Sequence, residues 1–92
     1  MITTIVLIRC EPRQIHTTAA KLAGIDGVAE VYSVSGAWDL VALVRVPEYE
    51  DIARVVTEEF TQVPGLTRTE TLTAFRAYSK KDLEQAWDIG IE

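Results

Sequence analysis

Ser35-Gly36-Ala37-Trp38-Asp39 is the stretch of this chain whose residue types suit binding chemistry at a fixed place. A carboxylate can hold an ammonium group, and the free backbone N–H groups of a turn can hold a carboxylate. Together they would grip a small zwitterion. Asp39 stands apart from the other acids because a turn lies on one side of it and the apolar run Leu40 to Val46 on the other. Two readings of it stand together: an Asx-type hydrogen bond to the turn backbone, or ligand recognition. Further on, Thr67, Thr69, Thr71 and Thr73 alternate along one stretch and so share one face of a strand. Threonine forms strands readily, which alone accounts for the row, but its hydroxyls would also suit a polar pocket wall.

The rest of the sequence offers little catalytic chemistry. His16 is the only histidine, and a solvated or half-buried ring on the first helix explains it. Cys10 is the only cysteine, so no internal disulfide forms, and it reads as a small filler at the end of a strand rather than a nucleophile. No Cys/His cluster has metal-ligand spacing, no glycine-rich loop would cradle a phosphate, and no nucleophile has an evident base. Neither a metal nor a cofactor is expected. Glu48, Glu50, Asp51, Glu58 and Glu59 read as the solvated face of a helix.

Composition narrows the partners. Ninety-two residues make one domain, 48% hydrophobic and 25% charged, with a net charge of -5 and scattered Lys and Arg. That charge provides no electrostatic footprint for nucleic acid. A domain this small buries only about 60–65% of its unfolded surface, so self-association would help it. The apolar run Ile2 to Ile8 is too short for a signal peptide core with flanks or for a membrane span. A cytoplasmic protein is expected.

The elements that must position the loop follow from period and punctuation. Ile2 to Ile8 is β-branched and apolar, a central strand. Pro12 opens a helix whose Ile15, Ala19, Leu22 and Ala23 form one face, with Gly24 as its stop and Asp26-Gly27 as a turn. Val28 to Val34 reads as an edge strand. A Gly-X pair then suits a two-residue type II′ hairpin, because Gly36 can take positive φ. Trp38 to Val46 is the next strand, and Pro47 closes it. A second helix, about Glu48 to Gln62, carries Ile52, Val55, Val56, Phe60 and Val63 on one face and ends at Pro64-Gly65. Leu66 to Tyr78 reads as the last strand, with Arg68, Glu70, Leu72 and Arg76 opposite the threonines. From Ser79 the tail reads as a short helix with Ser79 as N-cap, Asp82 in its first turn, and Leu83 and Trp87 on one face. Trp87 packs either on its own sheet or on a neighbouring subunit.

The two halves repeat at an offset of 38 residues, the interval from Gly27 to Gly65. At that offset Ile2, Ile5, Val6 and Ile8 overlay Leu40, Leu43, Val44 and Val46, and Leu22 overlays Phe60. Two β-α-β units in tandem give the α+β, ferredoxin-like βαββαβ arrangement, a four-stranded antiparallel sheet with both helices on one face. The bare face is expected to pair with that of another copy, as a dimeric α/β barrel.

Gly36-Ala37-Trp38-Asp39 after an edge strand, with Pro64-Gly65 and the Thr-x-Thr of Thr69 and Thr71 following in order, resembles the Gly-x-x-Asp pattern of the Lrp/AsnC family's effector (RAM) domain. The resemblance covers residues 1–78, leaving 79–92 as a helical tail. It implies dimers that assemble into tetramers or octamer-like rings and bind amino acid effectors between dimers. It also implies a ligand site made of Ser35, Gly36, Ala37, Trp38, Asp39, Thr69 and Thr71. Regulators of that family carry an N-terminal helix-turn-helix, and here the domain begins at Met1, which resembles a stand-alone form. The function expected is then amino acid sensing that modulates transcription through protein partners, such as a full-length regulator of the same family, without direct contact to DNA or a membrane. Two other readings are a small dimeric α/β-barrel enzyme of the cofactor-less monooxygenase kind and a purely structural assembly domain. The apolar helix faces argue against the enzyme.

Overall fold

A computed structural model describes residues 1–80 of the chain. The N-terminal apolar run becomes β1 (Ile2–Cys10), which buries Thr4, Val6, Ile8 and Cys10 on one face. The opposite face carries Thr3, Ile5, Leu7 and Arg9, as strand alternation requires. A 3-10 turn at Pro12–Gln14 leads into α1 (Ile15–Ala23), which buries Thr18 and Leu22, and Gly24 takes the C-cap position. Then come β2 (Val28–Ser33) and β3 (Leu40–Val46), the latter burying Leu40, Ala42, Val44 and Val46. After Pro47, α2 (Tyr49–Ala53) starts where the Asp51 carboxylate accepts a hydrogen bond from the Glu48 backbone N–H at 3.1 Å. The last strand, β4, spans Leu66–Thr73.

The strands form one antiparallel sheet in the order β2-β3-β1-β4, with β1 paired to both β3 and β4. Together with the helices this is the βαββαβ, ferredoxin-like arrangement expected from the repeat. The repeat itself survives in three dimensions. Val6 and Val44 are both buried, as are Leu22 and Phe60, and Gly27 and Gly65 both have positive φ, 102° and 96°. The buried cluster joins the inner faces of β1 and β3 to Leu22, Val55 and Phe60. The other face of the sheet carries Ile5, Leu7, Val41 and Leu43, half-buried, with the more exposed Tyr32 and Leu72 at its sides.

The structure departs from the sequence expectations at four places. The second helix is not one α-helix. It passes from α2 through a π-helical stretch (Arg54–Glu59) to a 3-10 turn (Phe60–Gln62). The wider π turn aligns residues five apart, so Val55 and Phe60 both reach the core and Arg54 meets Glu59 at 2.7 Å. Asp51 and Glu59 therefore have structural partners and are not merely solvated.

The last strand stops at Thr73 and not at Tyr78. Its last ladder pair is Thr73 with Thr4, and its final bond runs from the Ala74 N–H to the Thr3 carbonyl, so β4 parts from β1 before β1 ends at Ile2. A register shift opposite Arg9 and Cys10 leaves Thr67 without a ladder partner, so the threonine row is Thr69, Thr71 and Thr73. The hairpin between β2 and β3 is also not a two-residue turn. Ser33 pairs with Leu40, residues 34–39 form the loop, and the Val34 N–H bonds to the Asp39 carbonyl at 3.0 Å. The tail helix, with Asp82, Leu83 and Trp87, lies outside the described residues.

Gly65 and Gly36 separate two costs of a side chain at positive φ. A Cβ on Gly65 would lie 2.8 Å from the Thr18 hydroxyl, itself buried and bonded to the Pro64 carbonyl at 3.2 Å. A Cβ on Gly36, whose φ is 109°, would meet nothing within 4 Å. Gly36→Ala is expected to cost about 1 kcal/mol from backbone strain alone, and Gly65→Ala about 2–3 kcal/mol because the clash adds to it. Urea unfolding followed by circular dichroism measures both, and equal losses would contradict the packing described for Gly65.

Candidate functional site

The loop at residues 34–39 is held by Asp39. Its backbone N–H donates to the Ile8 carbonyl at 2.9 Å, and its Oδ2 accepts from the Cys10 N–H at 3.0 Å. These two bonds grip β1 on either side of Arg9. The Asx-type bond expected within the turn is therefore replaced: the Asp39 carboxylate is bonded to the backbone of β1 and not to that of its own turn. One carboxylate oxygen is committed to Cys10, and Oδ1 has no hydrogen-bond partner among the described residues. Asp39 itself is half-buried.

Ser35, Gly36 and Ala37 are exposed at the tip of the loop. Their N–H groups make no backbone hydrogen bond among the described residues. Consecutive uncommitted N–H groups beside a positive-φ glycine are suited to an anion. Trp38 is half-buried, and the Arg68 guanidinium sits over its ring, 5.3 Å from the centroid. This cation–π contact joins the loop to β4, across the end of β1.

Thr69 and Thr71 pair with Ile8 and Val6 and share their face, the side of the sheet that carries the helices. Both are exposed, because β4 is an edge strand that the helices leave uncovered. Arg68 pairs with Arg9 and lies on the opposite face. The structure thus gathers the loop residues and the start of β4 at one end of the sheet. Within one chain it keeps Asp39 and Thr69 on the outer two of three adjacent strands, roughly 10 Å apart at the usual strand spacing. Arg9 and Arg68 were not singled out from sequence as site residues. Their juxtaposition depends on a register that spacing alone does not reveal.

A groove of about 350 Å³ opens between the second helical segment and β4, floored by Val56, Phe60, Val63 and Leu66 and rimmed by Thr61, Thr67, Arg68 and Thr69. Its lining contains no histidine, cysteine or carboxylate. Among the described residues no group of three or more His, Cys, Asp or Glu is placed to hold a metal. Cys10 is buried, and burial, reinforced by the charges of Asp39 and Glu11, raises its thiol pKa above the ordinary range. A thiol held neutral is a poor nucleophile, which fits the filler role. His16 is exposed on α1, outside both the loop and the groove. No helix among the described residues is long and apolar enough to cross a membrane.

The family model of the Lrp/AsnC ligand binding domain matches residues 3–83. An uncharacterised HTH-type transcriptional regulator of Pyrococcus horikoshii is 37% identical over 76 residues, which is 79% of this chain and 51% of that protein. The chain therefore spans about half the length of the curated relatives it matches. The crystal structure of TTHA0845 from Thermus thermophilus superposes with a TM-score of 0.82 at 48% identity, covering 87% of this chain and 100% of that one. A transcriptional regulator of Neisseria meningitidis, solved as a complex with L-Met, has a TM-score of 0.74 at 9% identity over 85% of this chain and 52% of that one. At that identity the likeness is one of fold alone.

Asp39→Ala leaves the part-buried Cys10 N–H without an acceptor and is expected to destabilise the domain by about 1–2 kcal/mol. Asp39→Asn keeps an acceptor oxygen and should lose less than about 0.5 kcal/mol. Chemical denaturation of the two variants checks this, and equal losses would mean that the loop does not depend on the Cys10 bond.

Proposed function

The chain belongs to the Lrp/AsnC ligand-binding domain family, and from that premise we propose that it is an amino-acid-sensing module that self-assembles. The observation that carries the reading is the loop at 34–39, which presents uncommitted N–H groups at Ser35, Gly36 and Ala37 beside the free oxygen of Asp39. Those groups complement the two charged ends of an α-amino acid, and Thr69 and Thr71 add hydroxyls nearby. In one chain these elements are spread over three strands, so the site is completed by a neighbouring subunit. The fold is shared with a regulator solved with L-Met, which is consistent with an amino acid as the ligand class.

Assembly begins at the outer sheet face. Ile5, Leu7, Val41, Leu43 and Leu72 form an apolar band there, and a second copy presenting the same band would cover it. Such sheet-paired dimers then associate into tetramers or rings, which bring loops from different dimers together. The module acts in the cytoplasm on transcription through protein contacts, for example with a full-length regulator of the same family. The net charge of -5 supports that route over direct contact with DNA. An enzymatic role is disfavoured by the groove under the second helix, whose lining has no histidine, cysteine or carboxylate to serve as base or acid.

Calorimetry against the twenty amino acids tests the reading. At least one is expected to bind the assembled protein at millimolar concentration or below, and Asp39→Asn should abolish that binding while leaving the fold intact. Light scattering of the same samples should give a species larger than a dimer, which Leu72→Glu reduces. A monomer that binds no amino acid would overturn the proposal.

A further inference from the structure

The part of the site least explained by the family's loop pattern is a pair of arginines. Arg9 on β1 and Arg68 on β4 are direct partners in the antiparallel ladder and share the outer face of the sheet. Two like charges placed directly opposite on adjacent strands repel, and such pairs lower stability. Among the described residues neither Arg9 nor Arg68 makes an ion pair; Asp39 continues the row beside Arg9, and Glu70 lies on the same face two residues from Arg68.

The Arg68 guanidinium also lies over the Trp38 ring of the loop, 5.3 Å from its centroid, a cation–π contact that draws this exposed arginine toward the loop. Asp39 is bonded to Ile8 and Cys10, the two neighbours of Arg9 in β1. Asp39, Arg9 and Arg68 therefore form one row across three strands, an acid at one end and two guanidiniums beside it.

We infer that Arg9 and Arg68, with Trp38 as the platform under Arg68, form a receptor for the carboxylate of the amino acid ligand. The inference rests on the sensing role proposed above and adds to it the group that reads the ligand's acidic end. A carboxylate between two guanidiniums relieves their repulsion and accepts charge-assisted, bidentate hydrogen bonds. The ammonium of the same molecule then falls toward Asp39, whose second oxygen is unused. The loop N–H groups support the carboxylate from above rather than holding it alone. The arrangement demands a free carboxylate, so an amino acid amide is excluded whatever its side chain.

Calorimetry of the wild-type protein against the twenty amino acids, and against the amide of any that binds, is compared with Arg68→Gln and Arg9→Gln. Arg45→Gln is the control, since it removes one exposed charge from the opposite end of the same face. Circular dichroism and light scattering confirm fold and mass for each. The expected result is that the amide fails to bind, that Arg68→Gln and Arg9→Gln each weaken the amino acid by roughly tenfold to a hundredfold, and that Arg45→Gln does not. Wild-type affinity retained in both arginine variants would overturn the receptor while leaving amino acid sensing in place. A fall in assembly mass with unchanged affinity would overturn it as well, by showing that the arginines hold a carboxylate of a neighbouring subunit. Absence of binding by any amino acid to the wild type would overturn the sensing role and the receptor together.

Discussion

Two hydrogen bonds from Asp39 to β1 are the constraint on which the functional end of this molecule depends. They are made to Ile8 and Cys10, so they close the loop over the end of the central strand and set its distance from β4. Trp38, the adjacent residue, is thereby carried into reach of Arg68. The bond to Ile8 is made by the main-chain N–H and survives any residue but proline, whereas the Cys10 bond needs an acceptor side chain, and only an acid supplies that acceptor with a negative charge. In the proposed site, structural and binding demands on Asp39 coincide in one side chain, with its two oxygens divided between them.

The scaffold beneath is a duplicated unit that places the loop and β4 at the same end of the sheet. β1 and β3 supply the core from their inner faces, and Leu22 and Phe60, equivalent in the repeat, seal it from the helices. Gly27 and Gly65 turn the chain at equivalent points with the same sign of φ. The repeat is broken where function is proposed. The β2–β3 connection is a loop held by Asp39, and the corresponding stretch after β4 leaves the sheet at Ala74.

Much of the frame was legible in the residues. The β-branched run at Ile2 and the Val/Leu run at Leu40 could hardly be anything but central strands, and the offset of the two glycines exposed the duplication. The ends of elements were harder, for reasons that are physical. Leu66 to Tyr78 keeps strand-like residues throughout, but a strand exists only where hydrogen bonds to a neighbour are made, and those to β1 end at Thr3 and Thr4. The π-helical stretch follows from Val55 and Phe60 both being drawn to the core, a demand that helical periodicity at 3.6 residues conceals. Of the proposed site, Gly36 and Asp39 stood out at the turn, where both residue types also serve the backbone. The Arg9–Arg68 pair did not, since it appears only once the ladder between β1 and β4 is known, bulge included.

The proposed site puts a ligand of this domain at the loop and the adjoining end of the sheet, not in the apolar groove under the second helix. Amide-resonance perturbation by an amino acid that binds tests this most directly. Shifts are expected to concentrate at Ser35 to Asp39 and around Arg9. Shifts concentrated at Val56, Phe60, Val63 and Leu66, with the loop unaffected, would contradict that placement and put the ligand in the groove instead.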